Sequence, residues 1–245
     1  MKCILLCAGY ATRLFPLTEN FPKSLLEVGN KKIIDYTLEK VNNIEDIDEI
    51  YLVTNAKYTP HFEKWVNEIN NIKPISVIND GTSTNDDRLG AIGDMLFTVN
   101  TKNINDDIMV LATDAVFDFK LSEFKDFYDL VKAPCVCAKI EEDKELLKRV
   151  GVAELDENNM IIGFEEKPSM PKSNAVAYAQ YIYPKEIIPM FKKYIDEGFS
   201  NDAPGNFLNY LYNKVPTYAY IFKGNCYDIG THDSLKKVND IYNNK

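Results

Sequence analysis

The segment Leu5-Leu6-Cys7-Ala8-Gly9-Tyr10-Ala11-Thr12-Arg13-Leu14-Phe15-Pro16-Leu17-Thr18, followed by Pro22-Lys23-Ser24-Leu25-Leu26, decides how this chain is read. An apolar run, Lys2 to Ala8, reads as a buried first strand that ends in a turn at Ala8-Gly9. Gly9 has no Cβ and can take positive φ, so backbone there can approach a base or a phosphate. The N–H groups that follow form a concavity suited to anions. Arg13 brings a rigid fork of donors that matches phosphate oxygens, and Lys23 a point charge on a loop stiffened by Pro22. Neither a Walker A pattern nor G-x-G-x-x-G is present, so P-loop and dinucleotide-binding readings lose their main support.

Working outward, short apolar runs alternate with helix-period segments. Lys32 to Ile44 is predicted helical, Glu49 to Asn55 a strand, and Thr59-Pro60 a cap and first-turn proline before Phe62, Trp65, Val66 and Ile69. Ile75 to Asn79 and Asp107 to Thr113 read as strands, and Ser122 opens a helix. This β-α-β-α order predicts an α/β fold, Rossmann-like, with a mixed, mostly parallel central sheet and helices on both faces. Beyond it, Pro134 to Ile140, Gly151 to Leu155, Met160 to Glu165, Tyr178 to Tyr183 and Thr217 to Phe222 read as strands of a more mixed half. Glu186 to Ile195 and Gly205 to Asn213 read as helices, and Asp233 as the cap of a last one. No clean boundary breaks the chain, so one domain over 1–245 is expected.

Of 245 residues, 45% are hydrophobic and 27% charged, with net charge −9 and two histidines. That acidity argues against nucleic acid, whose binding needs a broad basic surface, but not against a small anion held by a few cations and a metal. No apolar run reaches the ~20 residues of a membrane span. Five scattered cysteines match no zinc spacing and are expected as reduced thiols of a cytoplasmic protein. Self-association is left open.

Taken together, the opening residues closely resemble the sugar-phosphate nucleotidylyltransferases, which include glucose-1-phosphate thymidylyl- and uridylyltransferases and related cytidylyltransferases. Their pattern is A-G-x-x-T-R-L-x-P-x-T followed by P-K-x-L-L. The resemblance implies the nucleotidyltransferase fold, without the appended β-helix domain of longer relatives. It also implies that Ala8, Gly9 and Tyr10 meet the nucleotide, while Arg13 and Lys23 handle triphosphate and transition-state charge. Four later segments continue it. Arg88 to Asp94 stands where the family has an L-G-x-A stretch at the base, which assigns Gly90 to the nucleotide. Asp114 stands where the family's aspartate binds magnesium, with Thr113 in place of the preceding glycine. Gly151, Glu166 and Lys167, in G-V-A-E and E-E-K-P, imply sugar and acceptor-phosphate contacts. Asp228, in Tyr227-Asp228-Ile229-Gly230-Thr231, implies a second Mg2+ ligand.

The implied reaction transfers a nucleoside monophosphate from a nucleoside triphosphate to a small phosphorylated acceptor, a sugar 1-phosphate, and releases pyrophosphate. A phosphate monoester, with a second pKa near ~6, is already a nucleophile at neutral pH. No general base is needed, which fits two histidines outside any triad-like setting. The acceptor wall departs from the pattern: Tyr178 and Ala179 stand where a small residue pair is expected. A non-sugar phosphate such as phosphocholine is therefore the alternative acceptor. A glycosyltransferase would carry D-x-D, which Asp114-Ala115-Val116 lacks. A non-catalytic regulatory relative would have lost Arg13, Lys23, Asp114 or Asp228, and all four are present.

Overall fold

A computed structural model describes residues 1–243. Along the chain come β1 (Lys2–Leu6), β2 (Glu27–Val28), β3 (Lys31–Lys32), α1 (Ile33–Asn42), β4 (Glu49–Thr54), α2 (Thr59–Glu68), β5 (Ile75–Asn79), α3 (Gly90–Lys102), β6 (Ile108–Ala112) and β7 (Ala115–Phe117). There follow α4 (Leu121–Val131), β8 (Cys135–Ile140), α5 (Lys144–Leu147), β9 (Gly151–Leu155), β10 (Ile161–Glu166), β11 (Ala175–Tyr183), α6 (Ile188–Asp196), α7 (Pro204–Leu211), β12 (Tyr218–Ile221), β13 (Cys226–Asp228) and α8 (His232–Asn243). The chain is α/β, with parallel and antiparallel strands flanked by helices. No helix of the described residues is long and apolar enough to cross a membrane.

The chain divides into two units. The first holds Met1–Leu89, Leu111–Ser122 and the segment from Gly224 onward; the second holds Gly90–Val110 and Glu123–Lys223. In the first, β1 pairs parallel to β4 and β4 to β5, with Ile4 opposite Tyr51 and Leu52 opposite Val77. Ile4, Leu5, Ile50, Leu52 and Val53 are fully buried. That explains their continuous apolar runs, the mark of strands covered on both faces. A separate cluster of Val28, Ile33, Val116, Ile229 and Val238 packs β2, β7 and the end of β13 against α1 and α8. Each such side chain contributes about 1.5–3 kcal/mol.

In the second unit, β9 pairs antiparallel with β10 and β11, β11 with β8, and β12 runs parallel to β8. The register of β11 on β8 shifts between Ala177 and Tyr181. Tyr183 at the end of β11, Phe191 and Tyr194 of α6, and Phe207 and Tyr210 of α7 form a chain of edge-on and stacked rings that joins these elements.

Two expected caps are corrected. Thr59 already lies inside α2, so its hydroxyl turns back to the Asn55 carbonyl, and the Asn55 side chain instead accepts the Tyr58 N–H. At α8, which starts at His232, the Thr231 hydroxyl accepts the Ser234 N–H, and Ser234 Oγ accepts the N–H groups of Gly230 and Thr231. Asp233 lies in the first turn. The strand expected from Tyr178 begins earlier, at Ala175.

Candidate active site

The turn after β1 is held from behind. Thr54 donates its hydroxyl to the Cys7 carbonyl at 3.2 Å, and Asn55 its amide to the Ala8 carbonyl at 2.9 Å. Gly9 is exposed, and a Cβ added there would meet nothing within 4 Å. Protein packing therefore does not require glycine at this position; open space does remain for a ligand. The left-handed residue of the turn is Ala11, at φ 47°, and not Gly9. A left-handed alanine costs about 1–2 kcal/mol. The conformation is held by the Thr18 hydroxyl, which donates to the Ala11 carbonyl, and by Tyr58, which donates to the Thr18 carbonyl. This bend leaves Thr12 and Arg13 exposed while Leu14 is buried. Tyr10 is buried, its ring tilted against Tyr58. Burial raises its phenol pKa, opposed by Thr82 and reinforced by Asp87 and Asp80.

Lys23 begins a short 3-10 turn whose Ser24 and Leu25 are buried. Its ammonium lies 3.4 Å from Asp114 Oδ2. Asp114 and Asp228, more than a hundred residues apart, are brought together by the antiparallel pairing of β7 with β13. Asp228 stands opposite Ala115, and the Ile229 N–H donates to the Asp114 carbonyl at 3.0 Å. The far end is pinned by Asn225, which donates from both backbone and side chain to Asp118. Val116 and Ile229, fully buried, anchor the two strands. The Asp228 carboxylate keeps an open edge but is crowded by protein. Lost hydration raises its pKa, the Asp114 charge adds to this, and Lys23 and Arg13 oppose it. Gly230 is buried beneath it; a Cβ there would lie 2.9 Å from Asp228 Oδ2 and 3.1 Å from an Arg13 guanidinium nitrogen. Arg13, Lys23, Asp114 and Asp228 thus converge within the first unit.

Paired carboxylates are the oxygen donors that magnesium prefers, and it commonly takes one or two of them beside phosphate and water. The crowding that disfavours two adjacent negative charges is what a divalent cation would relieve, so the residues fit such an ion. No group of three or more His, Cys, Asp or Glu gathers as a ligand set among the described residues. His232 places Nε2 2.9 Å from the Phe15 carbonyl oxygen, in a structural contact.

In the second unit, Gly90 opens α3 at φ +74°, and a Cβ there would lie 2.6 Å from the Asn201 carbonyl oxygen. The Ile92 N–H donates to that same carbonyl. Its glycine is therefore explained by close backbone packing. Gly151 stands opposite Glu166 across β9 and β10. Without a Cβ it lets Phe164 and Glu166 lie over it, and Gly205 of α7 approaches the same Glu166 carboxylate, its virtual Cβ 2.7 Å from Oε2. Burial raises the Glu166 pKa, opposed by Lys167. Lys167 takes a left-handed φ of 51°, its N–H bonded to the Val150 carbonyl and its side chain exposed. Tyr178 lies in the shifted stretch of β11. Its hydroxyl donates to Glu141 at 3.2 Å, Lys139 pairs with the same carboxylate, and its ring meets Phe222 edge-on. Gly151, Glu166 and Lys167 adjoin one another, and Tyr178 bonds Glu141 and packs on the Leu147, Val152 and Val176 cluster. Ser24 and Gly230 stand inside the quoted motifs and Gly205 at a predicted helix start, but none was given a role from sequence, because a serine or glycine carries no local signal of what approaches it.

The nucleotidyl transferase family model matches residues 2–245, and the chain belongs to that family. It is 32% identical over 193 residues to the bifunctional protein GlmU of Methanocaldococcus jannaschii, covering 79% of this chain and 42% of that protein. It is 29% identical over 272 residues to a glucose-1-phosphate adenylyltransferase of Clostridium novyi, covering 99% of this chain and 69% of that one. The chain thus spans about two fifths of the GlmU protein's length. The fold matches a solved UDP-glucose pyrophosphorylase in its apo form with a TM-score of 0.82 at 21% identity, covering 98% of this chain and 97% of the other.

Proposed function

We propose that this chain transfers a nucleoside monophosphate from a nucleoside triphosphate to a small phosphorylated acceptor, a sugar 1-phosphate, and releases pyrophosphate. Family membership supports it, as does the sugar-phosphate chemistry in the names of its relatives. The observation that carries the reading is the ladder of β7 and β13, which sets Asp228 beside Asp114 with Lys23 in contact.

The difficulty in this reaction is anion on anion. Two unit charges 4 Å apart repel by about 4 kcal/mol at an effective dielectric of ~20. Arg13, exposed on its pinned bend, takes triphosphate oxygens in its planar fork. Lys23 supplies a charge already pointed at the metal-binding edge. Asp114 and Asp228 would hold Mg2+, which when bound neutralises phosphate charge and orients the α-phosphate. Gly9 leaves room for the nucleotide at the end of β1. On the acceptor side, Glu166 accepts hydroxyl donors from a half-buried seat between two glycines, and Lys167 meets the phosphate. The protein's contribution is positioning and fixed charge rather than proton transfer.

The test is a pyrophosphate-release screen crossing four nucleoside triphosphates with a panel of acceptors: hexose 1-phosphates, other sugar phosphates and phosphocholine. Release confined to one triphosphate with a sugar 1-phosphate is the expected result. Release confined to phosphocholine would replace the acceptor assignment and keep the nucleotidyl transfer.

A further inference from the structure

Thr113 is 1% exposed and stands between β6 and Asp114. Its hydroxyl oxygen lies 2.9 Å from the Leu6 carbonyl, 2.7 Å from Ser24 Oγ and 3.1 Å from Cys7 Sγ. A hydroxyl has one hydrogen and two lone pairs. The Leu6 carbonyl can only accept, so Thr113 donates to it and accepts from the Ser24 hydroxyl and the Cys7 thiol. The node is then saturated, and every hydrogen in it has a defined direction.

Its neighbours give it meaning. Ser24 follows Lys23 and Thr113 precedes Asp114, so the bond between these two hydroxyls ties together the backbone beside each half of the Lys23–Asp114 contact. That contact is open to water on the Asp114 side, 53% exposed, and cannot hold its own geometry. The buried hydroxyls are not exposed to competition from water. The resemblance described above implies glycine at this position, where this chain carries Thr113.

We propose that Thr113 is a positioning residue whose hydroxyl, through Ser24 and Leu6, sets the spacing of Lys23 and Asp114. The functional half of this inference rests on the nucleotidyl-transfer reading above.

Three variants test it: Thr113→Val removes the hydroxyl at similar shape, Thr113→Ser keeps it, and Ser24→Ala removes its partner should Thr113→Val fail to fold. A crystal structure of Thr113→Val, or of Ser24→Ala in its place, reads the geometry without any need of turnover. Separation of Lys23 Nζ from Asp114 Oδ2 is expected, and a contact kept at the wild-type distance overturns the proposal. Mn2+ binding, followed by water-proton relaxation, should weaken about tenfold in Thr113→Val and return to the wild-type value in Thr113→Ser. Equal weakening in both would assign the effect to shape and overturn the role of the hydroxyl. If wild-type protein turns over no triphosphate, nucleotidyl transfer fails as a reading, and the crystallographic comparison still decides the role of Thr113.

Discussion

The ammonium of Lys23 lies 3.4 Å from the carboxylate of Asp114, the first 11% exposed and the second 53%. An ion pair this open contributes at most about 1 kcal/mol to stability. The fully buried Val116 and Ile229 nearby contribute about 1.5–3 kcal/mol each and do the holding. The pair is therefore expected to matter for chemistry more than for folding. Lys23→Met should lower turnover by about 10²–10³-fold while shifting the melting temperature by no more than roughly 2–4 °C. Pyrophosphate release and thermal unfolding on the same sample check this; turnover lost together with the fold would make Lys23 structural.

Asp228 gives a prediction in pH. Its folded-state pKa is raised above 3.8, first by burial and then by Asp114. Between 3.8 and the raised value the folded protein holds the proton more firmly than the unfolded chain. Stability contributed by this group is thus present at low pH and lost as pH rises through that window. Without divalent cations, Asp228→Asn should unfold at a higher temperature than wild type at pH 7, with the gap closing below about pH 3.8, yet be inactive. A lower melting temperature at pH 7 would contradict the electrostatic account.

Gly205 and Gly151 separate function from folding. A methyl at Gly205 first meets Glu166 Oε2, the far end of a flexible side chain that can swing away, and then the Phe164 ring at 3.2 Å, which need give only slightly. Gly205→Ala should therefore raise the acceptor KM about tenfold, the scale of a lost 1.4 kcal/mol, and leave the triphosphate KM unchanged. A methyl at Gly151 meets the Phe164 ring at 2.6 Å as well. Gly151→Ala should add a stability loss of about 1–3 kcal/mol, the usual cost of overpacking. Steady-state kinetics in both substrates, with urea denaturation, distinguish the two.

Gly90→Ala should cost roughly 2–5 kcal/mol, summing a left-handed alanine and a clash against backbone that cannot rotate aside. The denaturant midpoint should fall with an unchanged slope. An unaffected midpoint would show that Asn201 and α3 yield easily.

The parallel strands β1 and β4 were legible because burial on both faces writes them as unbroken apolar runs; elsewhere, the edge strand Ile75–Asn79 and the antiparallel strand Gly151–Leu155 have the predicted ends. The opening signature was legible as a set of residue types, but its backbone was not. Gly9 can take positive φ, but the left-handed residue of the turn is Ala11, because the constraint comes from Thr18 and Tyr58 at a distance. The ladder joining Asp114 to Asp228 is three residues long on each side and closes over a hundred residues of chain. A segment that short carries no periodicity, so its pairing is decided by packing of Val116 and Ile229. The neighbours of Tyr178, Glu141 at its hydroxyl and Phe222 at its ring, were not legible, because they lie in a stretch of shifted register. A register shift depends on both strands, and one strand's sequence does not contain it.

The most direct measurement of the central claim follows the α-phosphorus. Wild-type protein and Asp114→Asn are incubated with Mg2+, α-labelled triphosphate and the acceptor panel, and labelled products and pyrophosphate are quantified together. Wild type should place the label in one nucleoside diphosphate–linked product with an equimolar yield of pyrophosphate, and Asp114→Asn should form neither. Label appearing only as free nucleoside monophosphate, or no product with any pairing, would contradict nucleotidyl transfer by this site.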